Sequence, residues 1–203
     1  MNIRWIIYIS IISVLIWAEL PAEIWQQTSY GRYTVIRMVH SPFPDSAYTD
    51  PAFQDSSVYI FVPRGYQKKA YYDLVIDHHG FGAIVDPANR EKTSYPESFR
   101  QDYQLFTSGK NAILIMPQAA RNAANGATGK FGRMGGFQRF IEEIGTFLKH
   151  EEILNMNASL RDIHISSFSG GYQIMAMDIT LNPPEFLTHI RSVNLWDSFY
   201  GYR

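Results

Sequence analysis

Apolar residues along the chain follow two spacings, and the segments that carry them alternate. Short runs rich in β-branched residues, bounded by turn-forming residues, predict strands. These runs cover residues 33–39, 58–63, 72–77, 111–117, 162–166 and 190–195. The third and fourth runs are almost continuously apolar, which is typical of strands that are buried on both faces. The chain is therefore expected to form a sheet with a buried centre.

Between these strands the apolar spacing becomes that of a helix. The clearest stripe follows the pattern i, i+3, i+4, i+7 and consists of Phe137, Phe140, Ile141, Ile144, Phe147 and Leu148. Residues 94–108 are predicted to be partly helical, and residues 172–181 to form a helix that ends before Pro183. Strands separated by helices indicate an α/β fold, with a mostly parallel sheet flanked by helices. The Ala-, Asn- and Gly-rich segment 121–136 is expected to be a long surface loop.

The N-terminal residues differ from the rest of the chain. A short basic start at Met1–Arg4 precedes an uncharged, mostly apolar run over residues 5–18. That run is shorter than the about 20 residues that a membrane-spanning helix needs, but it suits the core of a signal peptide. Residues 1–22 are therefore predicted to be a signal peptide or an N-terminal anchor, and residues 30–203 one domain. The protein is expected to be exported to the periplasm or outside the cell, and to contact a membrane only if the segment stays as an anchor.

Composition excludes several classes of function. Eighteen Lys and Arg residues against nineteen Asp and Glu residues give a net charge of −1, which argues against nucleic acid as a partner. The absence of cysteine excludes disulfides, thiolate zinc sites and a cysteine nucleophile. The sequence contains no H-E-x-x-H motif, no P-loop and no G-x-G-x-x-G motif at the start of a helix. Neither a metal nor any other cofactor is predicted.

One motif that carries chemistry lies between a predicted buried strand and a predicted helix. It consists of Ser167, Phe168, Ser169, Gly170 and Gly171, and it matches the nucleophile elbow G-x-S-x-G with serine in place of the first glycine. The sharp turn needs small residues two positions before and after the nucleophile, and the helix behind it favours developing negative charge. Ser169 is the candidate nucleophile, and the Gly170 N–H is a candidate oxyanion donor. The alternative is that Ser169 only caps the helix.

A second motif, His79-Gly80-Phe81-Gly82, follows the third predicted strand. A glycine at this place lets the backbone approach a substrate carbonyl, and the Phe81 N–H is the candidate second oxyanion donor. His79 is expected to organise the loop rather than to act as a base. With Gly80 and Gly171 it would support the site. The two motifs in this order are much more specific than either one alone.

These motifs resemble those of the α/β-hydrolase superfamily, in particular exported esterase-like members with an HG-type oxyanion loop. The resemblance covers about residues 33–203 and includes P-Q-x-x-R at 117–121, S-G-G-Y at 169–172 and D-x-x-Y-G at 197–201. It implies a Ser/acid/His triad that hydrolyses small carboxylic esters or amides. In that triad Ser169 would be the nucleophile and Asp197 the acid.

The sequence departs from that family where the third member of the triad should lie. In this fold the histidine follows the acid, beyond the last strand, and no histidine follows Asp197. The domain is therefore expected to lack its last strands, and the base either to lie outside these residues or to be missing. In the second case the chain would be inactive, and the alternative function is that of a non-catalytic binding protein of the same fold. Separately, the alternative for Asp197 is a structural role, in which it caps the next helix or pairs with an arginine.

A further alternative is a metal phosphoesterase, because Asp77-His78-His79 resembles the D-H-H tripeptide of manganese phosphoesterases. Those enzymes also need an N-terminal aspartate motif after a strand and further Asp and His ligands. His40 is followed by Ser-Pro rather than by an acidic cluster. The tripeptide therefore stays a minor alternative.

Overall fold

The computed structural model describes residues 25–89, 91, 93–121 and 127–197. The predicted signal peptide or anchor at 1–22 lies outside the described residues. The end of the D-x-x-Y-G motif, after Asp197, lies outside them as well. Within the described ranges, no helix has the length and apolar character that crossing a bilayer requires.

All six predicted strands are present, with small shifts of their ends. The strands are β1 (Gln26–Gln27), β2 (Gly31–Arg37), β3 (Ser57–Pro63), β4 (Tyr71–His78), β5 (Ala112–Pro117), β6 (Ser159–Phe168) and β7 (Ile190–Trp196). β1 was not predicted, because two exposed glutamines carry no hydrophobic pattern. β6 extends beyond its prediction at both ends because it pairs with β4 along almost the whole length of that strand.

The seven described strands form one sheet in the order β1-β2-β3-β5-β4-β6-β7. β1, β2, β3 and β5 pair antiparallel in that order, whereas β5, β4, β6 and β7 pair parallel. Five strands therefore share one direction, and the predicted mostly parallel sheet is confirmed. Because β4 and β6 are parallel neighbours, their carboxyl ends lie side by side, with His78 opposite Ser167. This pairing places the two predicted motifs at one edge of the sheet.

Helices cover both faces of the sheet, as predicted. They are α1 (Tyr95–Phe99), α2 (Gln101–Thr107), α3 (Gly136–His150), α4 (Tyr172–Asp178) and α5 (Pro184–Leu187). Alternate residues of β5 belong to different hydrophobic cores: Ile113 and Ile115 pack in the core that includes the α3 stripe, and Leu114 and Met116 in the core that includes α1 and α2. Since successive strand residues point to opposite faces, α3 lies on one face and α1 and α2 lie on the other.

The prediction that residues 121–136 form a surface loop is wrong for part of the described segment. Gly129–Gly132 forms a 3₁₀ helix, and Phe131 within it is fully buried. The Phe131 ring contacts the rings of Phe137 and Phe140 at the start of α3. A single aromatic residue therefore anchors this segment to the core, although its neighbours in sequence are small and polar.

β7 is the outermost strand on its side of the described sheet. Most of its side chains are exposed, among them Val193, Leu195 and Trp196. Its carboxyl end lies at the same edge as those of β4 and β6, because all three strands are parallel. Asp197 follows this strand directly and is therefore also at that edge.

Candidate active site

Ser169 occupies a strained turn at the carboxyl end of β6. The strand ends at Phe168, which has extended backbone angles, and Ser169 then has a φ of 50°. A 3₁₀ turn over Ser169–Gly171 leads directly into α4. The left-handed conformation costs a residue with a side chain about 1–2 kcal/mol, and such strain concentrates at functional sites. This strand, turn and helix arrangement is the geometry that a nucleophile elbow requires.

The turn is in close contact with the loop that follows β4. A Cβ atom on Gly80 would lie only 2.9 Å from the Ser169 Cβ and 3.1 Å from the Phe168 carbonyl oxygen. A Cβ atom on Gly171 would lie 2.4 Å from the His78 carbonyl oxygen. Both approaches are possible only for glycine. The structure therefore brings together the two motifs that the sequence predicted to form one site.

His79 is fully buried at the base of this loop, and its hydrogen bonds determine which ring nitrogen carries the proton. Its Nε2 lies 2.8 Å from the Ala119 backbone N and 2.8 Å from the Gln118 side-chain nitrogen. Because both of these groups are donors, Nε2 accepts and Nδ1 carries the proton. Nδ1 then donates to the Gly80 carbonyl oxygen at 2.8 Å. His79 thus uses both ring nitrogens to hold the loop that contains Gly80.

Gln118 holds the other end of the same loop. Its Oε1 accepts a hydrogen bond from the Val85 N–H at 2.9 Å, and its Nε2 lies 3.1 Å from the Ala83 carbonyl oxygen. Three residues further on, the Arg121 carbonyl oxygen accepts a hydrogen bond from the Gly82 N–H. The P-Q-x-x-R segment therefore shapes the loop at 79–85. The sequence contained this motif, but spacing alone could not assign it a role.

Replacing Gln118 with alanine is expected to destabilise the fold by about 2–3 kcal/mol, because buried backbone groups of the loop would lose their partners. Gln104→Ala is the matched control, since the Gln104 side chain is exposed and, among the described residues, bonds only to the Phe99 carbonyl oxygen. The control should cost less than about 1 kcal/mol. Chemical denaturation of both variants measures the difference. Equal costs would show that Gln118 is not an anchor of the loop.

Asp197 lies close to Ser169 in the register of the sheet. Phe168 on β6 pairs with Trp196 on β7, and Ser169 and Asp197 are the residues that follow this pair. Asp197 is exposed, and its backbone is left-handed with a φ of 47°. Within the described residues, its carboxylate makes no ion pair and no hydrogen bond to a histidine. The structure thus places the candidate nucleophile and the candidate acid on neighbouring strand ends.

Phe81, the candidate oxyanion donor, is at the tip of the loop after β4. Its side chain is 64% exposed, although the neighbouring Gly80 is buried against Ser169. Across the described part of the chain, no histidine ring is hydrogen-bonded to the Ser169 hydroxyl. Five histidine rings bond elsewhere: His78 to Asp178, His79 to Gln118 and Ala119, His150 to Glu151, His164 to Ser192, and His189 to the Arg161 carbonyl oxygen. A base for Ser169 is therefore not found among these residues.

A buried pair near the turn was missed by sequence reasoning. His78 Nε2 lies 2.6 Å from Asp178 Oδ2, and neither side chain has any exposed surface. Burial raises the pKa of Asp178 to about 6, and His78 opposes that rise. No sequence pattern indicates the pair, because Asp178 lies in a helix of ordinary composition and His78 lies in a tripeptide that suggests a different chemistry.

The raised pKa of Asp178 predicts a dependence of stability on pH. The folded protein holds the proton on this carboxyl more tightly than the unfolded chain does. The associated stability is present below about pH 4 and is lost as the pH rises through about 6. The free energy of unfolding of wild type should therefore fall relative to that of Asp178→Asn between pH 4 and pH 7. Burial also raises the pKa of Asp77. Because wild type and Asp178→Asn both contain Asp77, its contribution cancels when their free energies of unfolding are subtracted.

The three residues of the Asp77-His78-His79 tripeptide have different partners. The Asp77 carboxylate accepts hydrogen bonds from Ser166 Oγ and, at 3.2 Å, from Gln101 Nε2. His78 bonds to Asp178, and His79 bonds to Gln118 and Ala119. In the described ranges, no three side chains of His, Cys, Asp or Glu lie close enough to hold a metal ion together. The geometry gives the phosphoesterase alternative no support.

No protein-family model matches this sequence, and no curated protein matches it. Among solved structures, the chain is similar to a thermostable esterase, at 15% identity over 72% of this chain, with a TM-score of 0.43. It is also similar to a ferulic acid esterase, at 15% identity over 71% of this chain, with a TM-score of 0.39. A third similar structure is the rice cell wall degrading esterase LipA from Xanthomonas oryzae, in a ligand-bound form, at 13% identity over 80% of this chain, with a TM-score of 0.41.

The described residues form an α/β fold, with a mostly parallel seven-stranded sheet flanked by helices. The alignments cover 38%, 52% and 40% of the three neighbouring structures, so this chain spans about half of their length or less. At these identities and TM-scores, the similarity assigns neither a family nor an activity to this chain.

Proposed function

We propose that this protein is a serine hydrolase that acts on small carboxylic esters or amides, with Ser169 as its nucleophile. The observation that carries the proposal is the left-handed Ser169 at the end of β6, in contact with Gly80 of the loop after β4. A helix cap typically has extended backbone angles, whereas Ser169 has a φ of 50°. A nucleophile that stands on a sharp turn between a strand and a helix accounts for this conformation.

In the proposed reaction, Ser169 Oγ attacks the carbonyl carbon of the substrate. The negative charge that develops on the carbonyl oxygen is stabilised by the N–H groups of Gly170 and Phe81. The bond to the leaving alcohol or amine then breaks, the leaving group takes up a proton, and Ser169 is left acylated. Water hydrolyses this ester in the second half of the reaction, which restores the serine and releases the acid.

The proton of Ser169 has to be taken up by a base, and all six histidines of the sequence lie in the described ranges, none of them bonded to Ser169. The proposal therefore assigns the base to none of these six histidines. Asp197, at the end of the neighbouring strand, is the proposed acid of the triad. The proposal also includes export, directed by residues 1–22, and contact with a membrane only if those residues remain as an anchor.

The second candidate is a non-catalytic protein of the same fold that binds a ligand above the strand ends. The observation that favours it is that the histidine rings form their hydrogen bonds with groups other than Ser169. Without a base, a serine hydroxyl is a poor nucleophile, although an oxyanion hole alone retains some rate over water. The two candidates therefore differ in turnover and not in fold.

Hydrolysis of p-nitrophenyl acetate and butyrate by the full chain tests the proposal, with bis(p-nitrophenyl) phosphate plus Mn²⁺ as the comparison substrate. The proposal predicts saturable release of p-nitrophenol from the carboxylic esters and none from the phosphodiester. A folded protein that binds the esters without turning them over would favour the binding candidate. Turnover of the phosphodiester alone would contradict both.

A further inference from the structure

His78 contacts α4 at both of its ends. At the start of the helix, the His78 carbonyl oxygen lies against Gly171, where a Cβ atom would be 2.4 Å away. At the end of the helix, His78 Nε2 lies 2.6 Å from the Asp178 carboxylate. Since His78 is also the last residue of β4, this one residue joins the strand that leads to Gly80 and Phe81 with the helix that leads away from Ser169.

Burying the His78 and Asp178 side chains costs solvation free energy that apolar side chains in the same place would not lose. Both side chains are fully buried, and the remaining polar atoms, His78 Nδ1 and Asp178 Oδ1, have no hydrogen-bond partner among the described residues. Well-packed apolar side chains of similar volume are often as stabilising as a buried ion pair. A short hydrogen bond also fixes the direction and distance between two elements, whereas an apolar contact does not.

Further contacts hold the end of α4 in place. The Asp178 carbonyl oxygen accepts a hydrogen bond from Asn182 Nδ2 at 2.8 Å, and Asn182 Oδ1 accepts one from the Gln138 N–H in the first turn of α3. The Phe131 ring packs edge-on against the His78 ring. The last turn of α4 is thus fixed to α3 through its backbone, and to β4 through the side chain of Asp178.

We propose that His78 and Asp178 are positioning residues, whose hydrogen bond holds the Ser169 turn in register with the loop that carries Gly80 and Phe81. The inference rests on the proposed function, because it concerns the distance between the nucleophile and its oxyanion donors. Neither residue touches the substrate. Misplacement of reacting groups by about 1 Å can lower a rate about 100-fold, so a small rotation of α4 would have a measurable effect.

The test is the kinetics of labelling with a fluorophosphonate probe, in which Ser169 Oγ bonds to phosphorus and fluoride leaves. Asp178→Leu removes the hydrogen bond at similar volume, and Asp178→Asn keeps an acceptor for His78 Nε2–H. The maximal labelling rate of Asp178→Leu should fall at least about tenfold with an unchanged half-saturating probe concentration, and Asp178→Asn should recover most of the rate. Should the leucine variant fail to fold, Asp178→Ser, which is expected to show the same loss, takes its place.

Ile144→Val, in the core of α3, is the control for a loss of stability alone. It should label at the wild-type rate at a temperature at which every variant is folded. A folded Asp178→Leu that labels as fast as wild type would overturn the positioning role and leave the proposed function intact. Wild type that is folded but not labelled would overturn the proposed function and the inference with it.

Discussion

The Ser169→Ala variant is expected to hydrolyse p-nitrophenyl acetate at least about 10³-fold more slowly than wild type, as measured by kcat/KM. The variant loses the oxygen that attacks the substrate, but it keeps the backbone N–H groups of Gly170 and Phe81. KM should change little, because binding is left in place. The melting temperature should not fall, because the Ser169 hydroxyl has no hydrogen-bond partner among the described residues.

Ser159→Ala is the matched control for this experiment. Ser159 is an exposed serine at the other end of β6, and it carries the same substitution far from the turn. Its kcat/KM should equal that of wild type. If Ser169→Ala kept wild-type activity, the hydrolysis would have to be assigned to another group, and the nucleophile proposal would fail.

Replacing Gly171 with alanine is expected to destabilise the fold by about 3 kcal/mol, because the new Cβ atom would overlap backbone rather than a flexible side chain. It would lie 2.4 Å from the His78 carbonyl oxygen and 2.9 Å from that of His79. To relieve the overlap, β4 and the start of α4 would have to separate. The variant should also lose labelling by a fluorophosphonate, because separation moves the Ser169 turn away from Gly80.

Gly65→Ala provides the comparison for Gly171→Ala. Gly65 has a φ of 86°, and a Cβ atom there would meet nothing within 4 Å. This substitution should cost only about 1 kcal/mol, from backbone strain, and should leave labelling unchanged. Denaturant unfolding of the two variants separates the cost of the steric overlap at Gly171 from the cost of replacing a glycine. An equal cost for both would show that the contact between Gly171 and the β4 end is not tight.

The architecture could be predicted because hydrophobic spacing alone determines most of it. The continuous apolar runs at β4 and β5 and the stripe on α3 each have one low-energy arrangement, which is burial between layers. The proximity of the two motifs also followed from the sequence, since each comes directly after a buried strand. Parallel strands place their carboxyl ends at one edge of a sheet, so residues that follow such strands can form one site.

The contacts that fix the site could not be predicted in the same way. Asp178 is a polar residue in a helix, and only the fold shows that it is buried opposite His78. Gln118 gave no sign that its side chain would organise the loop at 79–85, because its partners are mostly backbone groups. Phe131 was hidden in a segment of small residues. Each of these cases depends on residues that are distant in sequence, which a spacing pattern does not encode.

The most direct test of the central claim is to find where a fluorophosphonate attaches to the full, folded chain. After labelling and proteolysis, mass spectrometry of the peptides should locate the phosphonate adduct on Ser169. The adduct should be absent from denatured protein, because activation of the serine depends on the fold. An adduct on another serine, or no adduct on a chain shown to be folded, would contradict the assignment of Ser169 as a nucleophile.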